Sequence, residues 1–189
     1  SGIYVLEPKV FDYIAADISV DFSGDVFPAL LDDGEKLVGA VLDGYWEDVG
    51  TLEAYVRAHK DILDGRVQVG IPGFEVSDGV FIAEGAEVHP DAVVAGPAVV
   101  GDNCFVDAGA RLGEYTVLGQ GVRVRSGAEL ERTVVHENAY LGESVKLRGT
   151  VVGRAADLRR NARCEEGVVL GDEVFVGEDA VISTDVKVY

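Results

Sequence analysis

The side chains of this sequence that could do chemistry are few, and most of them are carboxylates. Asp48 stands in a turn three residues before Thr51, a residue type that caps helices. An anion just before a helix is stabilised by the helix N-terminus, so Asp48 by its position alone suits a structural role. The other candidates are two acidic pairs, two histidines and two cysteines: Asp32 and Asp33, Glu165 and Glu166, His89 and His136, and Cys104 and Cys164.

A six-residue repeat that starts at Ile82 must position most of these groups. Ile, Val or Leu opens 17 of its 18 units, and Cys164 is the exception. Four residues after each opener stands Ala, Val, Thr or Cys, and three residues after it 11 units carry Gly, Asn or Asp. Helices and ordinary strands have other periods. The pattern predicts short strands that form a three-sided coil with left-handed corners, whose turns stack at ~4.8 Å.

The repeat resembles that of the hexapeptide-repeat proteins, which fold as a left-handed parallel β-helix. Two of its units, Leu130 to Val135 and Leu147 to Val152, are one residue short. They lie three units apart, so both fall at the same corner of successive turns. We therefore expect the aliphatic column to stay in register, with a local notch on one edge.

Composition and charge exclude several classes of protein. The net charge of −18 argues against nucleic acid or an anionic membrane as the main partner. The longest apolar stretch, 92–100, is too short to span a bilayer, and no secretion signal is expected. Cys104 and Cys164 occupy inward repeat positions and are predicted to be reduced core residues of a cytoplasmic protein. Both ends are expected to be cut from a longer polypeptide.

The first 80 residues have the sequence patterns of short helices and short strands. A strand opens the chain, and Asp43-Gly44 is typical of a hairpin turn between two further strands. Pro8 and Asp21 favour helix starts, and Thr51 can cap a helix that ends before Gly65. The predicted elements are strands over 2–6, 37–42 and 45–46, helices from 8, over 25–31 and from 52 to 63, and a linker over 66–79.

Several of these stretches resemble the second half of the sugar-1-phosphate nucleotidyltransferases. The Trp46-Glu47-Asp48-Val49-Gly50-Thr51 motif is the most specific of them. With the solenoid included, the chain is most similar to the mannose-1-phosphate guanylyltransferases of that family, and to bacterial members in which a phosphomannomutase-like module follows. The stretches that carry the resemblance are 2–6, 21–23, 27–28, 44–55, 158–167 and 186–189.

The resemblance implies a reaction in which a sugar 1-phosphate attacks the α-phosphorus of a nucleoside triphosphate and pyrophosphate leaves. Mg²⁺ and positioning supply most of the catalysis in such a reaction. By resemblance Asp48 is one of two metal-holding carboxylates, and Gly2, Ile3 and Tyr4 line the sugar pocket. The family's glycine-rich phosphate loop does not occur in residues 1–81, so this fragment alone is predicted to be inactive.

Three other functions compete with this interpretation. An acyltransferase would use His89 or His136 as a general base. A non-catalytic assembly or regulatory module would use a basic stripe predicted on one face of the solenoid, unless those residues are only solvated and ion-paired. A hydrolase would need its acidic pairs to share a cleft, which adjacent acids rarely do. The stripe consists of Arg125, Lys146, Arg159, Arg160 and Arg163.

The repeat pattern predicts a mainly β protein with a left-handed parallel β-helix, and the resemblance implies that a partial α/β nucleotidyltransferase domain precedes it. The expected domains are 1–65 for the nucleotidyltransferase part, 66–79 for the linker and 80–189 for the β-helix. The expected parent activity makes a nucleotide sugar, with GDP-mannose favoured by the resemblance. Expected partners are a sugar 1-phosphate, a nucleoside triphosphate, Mg²⁺ and further copies of the chain.

Overall fold

The repeat folds as a parallel β-solenoid, as predicted. The computed structural model describes residues 3–184 and contains 19 strands in this range. They are β1 (Phe74–Ser77), β2 (Val80–Ile82), β3 (Glu87–Val88), β4 (Val93–Val94), β5 (Ala98–Val100), β6 (Phe105–Val106), β7 (Arg111–Leu112), β8 (Thr116–Leu118), β9 (Arg123–Val124), β10 (Glu129–Glu131), β11 (Val134–Val135), β12 (Tyr140–Leu141), β13 (Lys146–Arg148), β14 (Val151–Val152), β15 (Asp157–Leu158), β16 (Arg163–Cys164), β17 (Val169–Leu170), β18 (Phe175–Val176) and β19 (Val181–Ile182).

Every third strand pairs with its equivalent in the next turn, which gives the solenoid three sheets. Sheet A has the order β1-β2-β5-β8-β11-β14-β17, and its first pair is antiparallel. Sheet B has the order β18-β15-β12-β9-β6-β3, and sheet C the order β19-β16-β13-β10-β7-β4. The remaining pairs are parallel, so backbone hydrogen bonds run between turns and the structure is the predicted β-helix of about six turns.

The aliphatic openers fill the interior, and the small residues fill the corners. Val100, Val124, Leu141 and Leu158 are fully buried, in one continuous core that extends over the whole solenoid. Left-handed corners occur at Gly85, Gly109 and Asn103, as the pattern predicts, and also at residues that disfavour this conformation. The latter include Tyr115, Ser144, Ala155 and Glu173, whose φ angles lie between 51° and 58°. Stacking between turns therefore imposes the corner whatever the residue type.

The two short units keep the core in register, as expected. Leu130 pairs with Leu147, and Val135 pairs with Val152. The inward small residue differs from the prediction, because the missing residue lies before the corner. Thr133 and Thr150, three residues after their openers, are buried, and their hydroxyls donate to the carbonyls of Glu131 (2.9 Å) and Arg148 (3.1 Å). The following valines, Val134 and Val151, pair with each other, and Val134 also pairs with Val117. Each of these valines directly precedes an inward opener in its strand.

The structure divides into two compact units, Ser1–Gly44 and Tyr45–Tyr189. The first contains a 3₁₀ helix (Pro8–Tyr13), a π-helical turn (Phe22–Val26) and α1 (Phe27–Asp32), around a small core of Val10, Val26 and Leu30. Asp21 accepts a hydrogen bond from the Gly24 amide (2.5 Å), which is the capping role predicted for it. The second unit contains α2 (Leu52–Leu63) and the solenoid. The domain boundaries expected at 65 and 80 stay a prediction.

The strands predicted upstream of the solenoid are wrong. Residues 3–6, 37–42 and 45–46 are not in strands, and Val41 and Leu42 are 95% and 78% exposed. An isolated hairpin is marginal in water, and a strand gains stability only from neighbours that pair with it. The described residues before Phe74 provide no strand for such pairing. In the same described range, no helix has the length and apolarity needed to cross a bilayer.

Candidate functional site

The segment that carries Asp48 is fastened to α2 on both sides of this residue. Arg57 on α2 holds Glu47 through two hydrogen bonds, from Nη2 to Oε1 (2.7 Å) and from Nε to Oε2 (3.1 Å). The hydrogen bond from Arg57 lowers the pKa of Glu47 below its usual value, so the pair stays charged. On the other side, Thr51 accepts a hydrogen bond from the Ala54 amide (3.2 Å) as the N-cap of α2. Asp48 is therefore placed by its neighbours.

A buried carboxylate of α2 makes a second set of contacts with the segment that carries Asp48. Asp61 is only 6% exposed, and it accepts hydrogen bonds from the Tyr45 hydroxyl (2.9 Å) and the Arg66 guanidinium (2.7 Å). Both carboxylate oxygens thus have a partner, which a buried acid requires. Burial, together with the hydrogen bond to Asp61, raises the pKa of Tyr45. The network joins the motif segment, α2 and the start of the linker.

The solenoid contacts α2 near both ends of the helix. Near the N-terminus, the Tyr55 hydroxyl lies 3.1 Å from His136 Nε2 and the two rings are stacked at 6.0 Å. Burial raises the pKa of Tyr55, so it remains a neutral phenol. At the C-terminal end, the Tyr115 hydroxyl donates to Asp64 Oδ1 (2.9 Å), and Lys60 lies over the Tyr115 ring at 4.9 Å. The position of Asp48 is thereby coupled to rungs of the solenoid.

These coupling residues were not identified from the sequence as partners of α2, although one signal was present. The residue after the opener is small on each rung of sheet A except at His136. The other members of this column are Ala83, Gly101, Gly119, Gly153 and Gly171. A single large polar side chain among small ones marks the place where another element is contacted.

Asp48 itself is exposed and fits the role of one metal ligand. Mg²⁺ usually takes one or two protein carboxylates and completes its shell with water and phosphate oxygens. Among residues 3–184 no group of three or more His, Cys, Asp or Glu side chains is arranged to hold a metal ion. Asp48 would supply one carboxylate to such a site.

The predicted sugar-pocket residues lie in the other compact unit. Gly2 falls outside the described residues. Ile3 is 79% exposed, while the Tyr4 ring packs against Phe22 and Phe27 at centroid distances of 6.0 and 5.0 Å. The structure thus places Tyr4 in an aromatic cluster, and the role of Gly2, Ile3 and Tyr4 in sugar binding stays a prediction.

Several of the other side chains considered from the sequence have structural roles. His89 Nδ1 contacts the Asp91 amide at 3.1 Å, and His136 is engaged by Tyr55. Cys104 and Cys164 are buried and unpaired, as predicted, and burial raises the pKa of both thiols, to about 11 for Cys164. The acidic pairs are exposed, with Asp33 accepting from Tyr13 at 3.0 Å.

The predicted basic stripe is largely ion-paired. Arg125 contacts Asp107 (3.0 Å), Lys146 contacts Glu129 (3.0 Å), Arg159 contacts Asp157 (2.6 Å) and Arg160 contacts Glu178 (3.2 Å). Exposed pairs of this kind contribute little to stability. The prediction that these residues share one face is wrong, because Lys146 and Arg163 belong to sheet C while Arg125 and Arg159 follow strands of sheet B.

The second unit carries a groove on sheet C and a pocket beside α2, and Asp48 lines neither of them. The larger, of about 940 Å³, is a groove on the outer face of sheet C where acidic and basic side chains alternate. The smaller, of about 320 Å³, lies between the C-terminal half of α2, the linker and sheet A. Its lining is mostly apolar and includes Ile62, Ile71 and Val117.

Comparisons with known proteins match both the solenoid and the segment before it to known families. Residues 94–188 match the family described as the GMPPB C-terminal domain, and residues 1–65 match the nucleotidyl transferase family. The chain is 38% identical to a mannose-1-phosphate guanylyltransferase of Mycobacterium tuberculosis over 70% of its length and 36% of the relative's. It is 30% identical to a UTP–glucose-1-phosphate uridylyltransferase of Synechocystis over 78% of its length and 38% of the relative's. The chain spans less than half the length of these curated relatives.

Among solved structures, the fold is similar to that of a GDP-perosamine N-acetyltransferase mutant from Caulobacter crescentus. The similarity has a TM-score of 0.51 and 22% identity, and it covers 82% of this chain and 65% of the other. At this identity it is informative about the fold, a hexapeptide-repeat solenoid, and carries no conclusion about activity.

Proposed function

Because the chain belongs to the sugar-1-phosphate nucleotidyltransferase family, we propose that it is the carboxyl-terminal part of an enzyme that makes nucleotide sugars. The single observation that supports this best is the fixed segment 46–51. Glu47 and Tyr45 bind α2, Thr51 caps it, and α2 is held by the solenoid, so Asp48 is presented at one defined place. A catalytic carboxylate needs this kind of preorganisation.

In the proposed reaction, a phosphate oxygen of the hexose 1-phosphate attacks the α-phosphorus of the nucleoside triphosphate. The bond between the α-phosphorus and the bridging oxygen breaks, and pyrophosphate leaves with that oxygen. Asp48 would hold Mg²⁺, which when bound neutralises phosphate charge. Glu47 is already neutralised by Arg57, so Asp48 is the acid of this segment that remains available. Gly2, Ile3 and Tyr4 are proposed to contribute to the sugar pocket.

Mannose 1-phosphate and GTP are the proposed substrates. The support is the match of residues 94–188 to the GMPPB C-terminal domain and the 38% identity to a mannose-1-phosphate guanylyltransferase. The uridylyltransferase relative makes UTP with glucose 1-phosphate the first competing pair to test. The buried, unpaired cysteines fit a cytoplasmic enzyme.

We assign the solenoid two roles, to position α2 and to mediate self-association. It holds α2 through His136 and Tyr115, and it provides extended flat sheets, which suit contacts between copies. The chain of 189 residues alone is proposed to be inactive, because residues 1–81 contain no glycine-rich phosphate loop.

The test is pyrophosphate release by the polypeptide that includes the residues upstream of Ser1, with each of four nucleoside triphosphates and with mannose or glucose 1-phosphate. We expect Mg²⁺-dependent turnover, fastest with GTP and mannose 1-phosphate. Another preferred pair would overturn the substrate assignment, and no turnover with any pair would overturn the reaction. Turnover by residues 1–189 alone would show that the proposed inactivity is wrong.

Acyl transfer is the second candidate function, since the solenoid carries His89 and His136, two histidines that such a reaction could use. It would need a histidine available as a general base, whereas His136 Nε2 is engaged by Tyr55. Thioester cleavage by the chain with an amino-sugar acceptor would favour this candidate, and its absence would favour nucleotidyl transfer.

A further inference from the structure

The outer face of sheet B carries a ladder of aromatic and charged side chains, in which arginines lie over the rings and both phenylalanines stay exposed. It consists of two columns, one at the residue before each buried opener and one at the residue after it. Phe105 and Phe175 are 40% and 64% exposed although they sit in a regular sheet. The first column is Glu87, Phe105, Arg123, Tyr140, Asp157 and Phe175, and the second is His89, Asp107, Arg125, Gly142, Arg159 and Gly177. We call these twelve residues the ladder face.

The ladder face is enriched in the residue types that dominate protein interfaces. Arg159 lies 5.6 Å from the centroids of both the Tyr140 and Phe175 rings, and Arg123 lies 5.9 Å from that of Phe105. Aromatic residues and arginine are the commonest hot spots of protein–protein contacts. The face also has three carboxylates, Glu87, Asp107 and Asp157, against its three arginines. It is therefore locally neutral on a chain of net charge −18, which removes the main repulsion between copies.

We propose that the ladder face is a dimer interface, and that its partner is a second copy of this chain arranged end for end. The two-fold axis that relates the copies runs parallel to the strands of sheet B. It passes between β9, which carries Arg123, and β12, which carries Tyr140. Reversing the order of the six rungs places Arg123 opposite Tyr140, Asp107 opposite Arg159 and Arg125 opposite Gly142. The first pair is a cation–π contact. The second joins the Arg125–Asp107 ion pair of one copy to the Asp157–Arg159 ion pair of the other, and the third fits a long side chain against a residue with none.

The charges of the ladder face argue against a parallel arrangement, in which the solenoids of the two copies run in the same direction. That arrangement would place Arg123 of each copy opposite Arg125 of the other, which gathers four guanidinium groups at one point. Like charges that face each other across an interface cost several kcal/mol. End-for-end pairing of the ladder face opposes no two like charges.

The other two sheets are less suitable for this contact. Sheet A is contacted by α2, through Tyr55 and His136. Sheet C, paired end for end, would oppose Arg111 to Arg163, since these lie on the second and fifth rungs of its column. The ladder face is thus the one of the three described sheets that is both open and self-complementary.

The size of the face predicts a dimer of modest affinity. Six strands at ~4.8 Å span about 24 Å, which allows burial on the order of 500 Å² for each copy. A total near 1,000 Å² is at the lower limit of specific interfaces. We therefore expect dissociation in the micromolar range. The inference rests on the proposed role of the solenoid in self-association and is independent of nucleotidyl transfer, so either proposal can fail alone.

The test is a charge exchange followed by sedimentation velocity of the 189-residue chain from about 1 to 100 µM. Asp107→Arg sets two arginines opposite each other, and Arg159→Asp sets two aspartates opposite each other, so each variant alone should dimerise at least tenfold more weakly than wild type. An equimolar mixture of the two should recover dimers, because both cross-pairs are again of opposite charge. Circular dichroism checks that each variant is folded.

Arg148→Asp is the matched control, since it makes the same exchange on sheet C, where Arg148 pairs with Glu131 at 3.3 Å. It should leave dimerisation unchanged. Gly177→Trp is a variant that the fold tolerates, because a Cβ there meets no atom within 4 Å, and it should weaken the dimer by filling the place opposite His89. A monomeric wild type at 100 µM, a mixture that fails to recover, or a control that alone disrupts the dimer would overturn the proposal.

Discussion

Cys164 stands where the other 17 repeat openers have Ile, Val or Leu, and its thiol behaves as an apolar group. It is 4% exposed, and burial raises its pKa from 9.0 to about 11. The folded state therefore holds the proton more tightly than the unfolded state, and the stabilisation that this provides is lost as the pH rises from 9 through 11.

We predict that Cys164→Val makes the chain less sensitive to alkaline pH. The wild type should lose roughly 2 kcal/mol more unfolding free energy than the variant between pH 8 and pH 11. Urea unfolding at several pH values measures this difference. Parallel pH curves for the two proteins would mean that Cys164 does not titrate as a buried thiol.

The sequence made Asp48 a candidate by resemblance, but it did not reveal what holds that residue. The helix cap at Thr51 was predictable, because capping depends on neighbours in the sequence. The contacts of Tyr45 with Asp61 and of Tyr55 with His136 join residues 16 and 81 positions apart. Pairs at such separations depend on how elements pack, which residue patterns do not specify.

At the scale of elements, α2 was predicted with its correct bounds, and the upstream strands were not. The helix has a cap, an apolar face and Gly65 at its end, so its local signals agree. The stretch 37–42 has the composition of a strand, but among the described residues no neighbouring sheet accepts it. The solenoid was predictable because its period is local and repeated in every unit. Arg132 and Ala155 at left-handed corners were not, because stacking imposes that conformation.

We predict that Tyr55→Phe loosens α2 from the solenoid. The substitution keeps the ring that stacks on His136 but removes the hydroxyl, so unfolding free energy should fall by about 1 kcal/mol. Hydrogen exchange of the α2 amides should become faster.

Tyr140→Phe is the control for this prediction, since the Tyr140 hydroxyl has no protein partner among the hydrogen bonds of residues 3–184 and the ring is retained. It should leave the exchange of α2 unchanged. Equal protection of α2 in wild type and Tyr55→Phe would mean that the hydroxyl contributes nothing to the attachment.

For the whole molecule, the structure places α2 in the compact unit of the solenoid, Tyr45–Tyr189, whereas the resemblance assigns it to the nucleotidyltransferase part. We predict that residues 45–189 fold without residues 1–44, because the contacts of α2 with Tyr115 and His136 are all within this unit. Residues 66–189 should be less stable, since removing α2 uncovers apolar positions of sheet A such as Val99 and Val117.

Thermal unfolding and binding of an apolar dye to the two truncated chains measure this difference. Residues 45–189 should unfold in one transition and bind little dye, and residues 66–189 should unfold at lower temperature and bind more. Equal behaviour of the two chains would place the folding boundary at the linker instead.

The most direct test of the proposed enzyme is the rate of pyrophosphate release by the polypeptide that includes the upstream residues, measured for Asp48→Asn. This variant keeps the size of the side chain and removes the charge that would bind Mg²⁺, so the rate should fall by at least about 100-fold. Asp43→Asn, which changes an exposed acid five residues earlier in the sequence, should keep the wild-type rate. Full activity of Asp48→Asn would contradict the role assigned to this carboxylate.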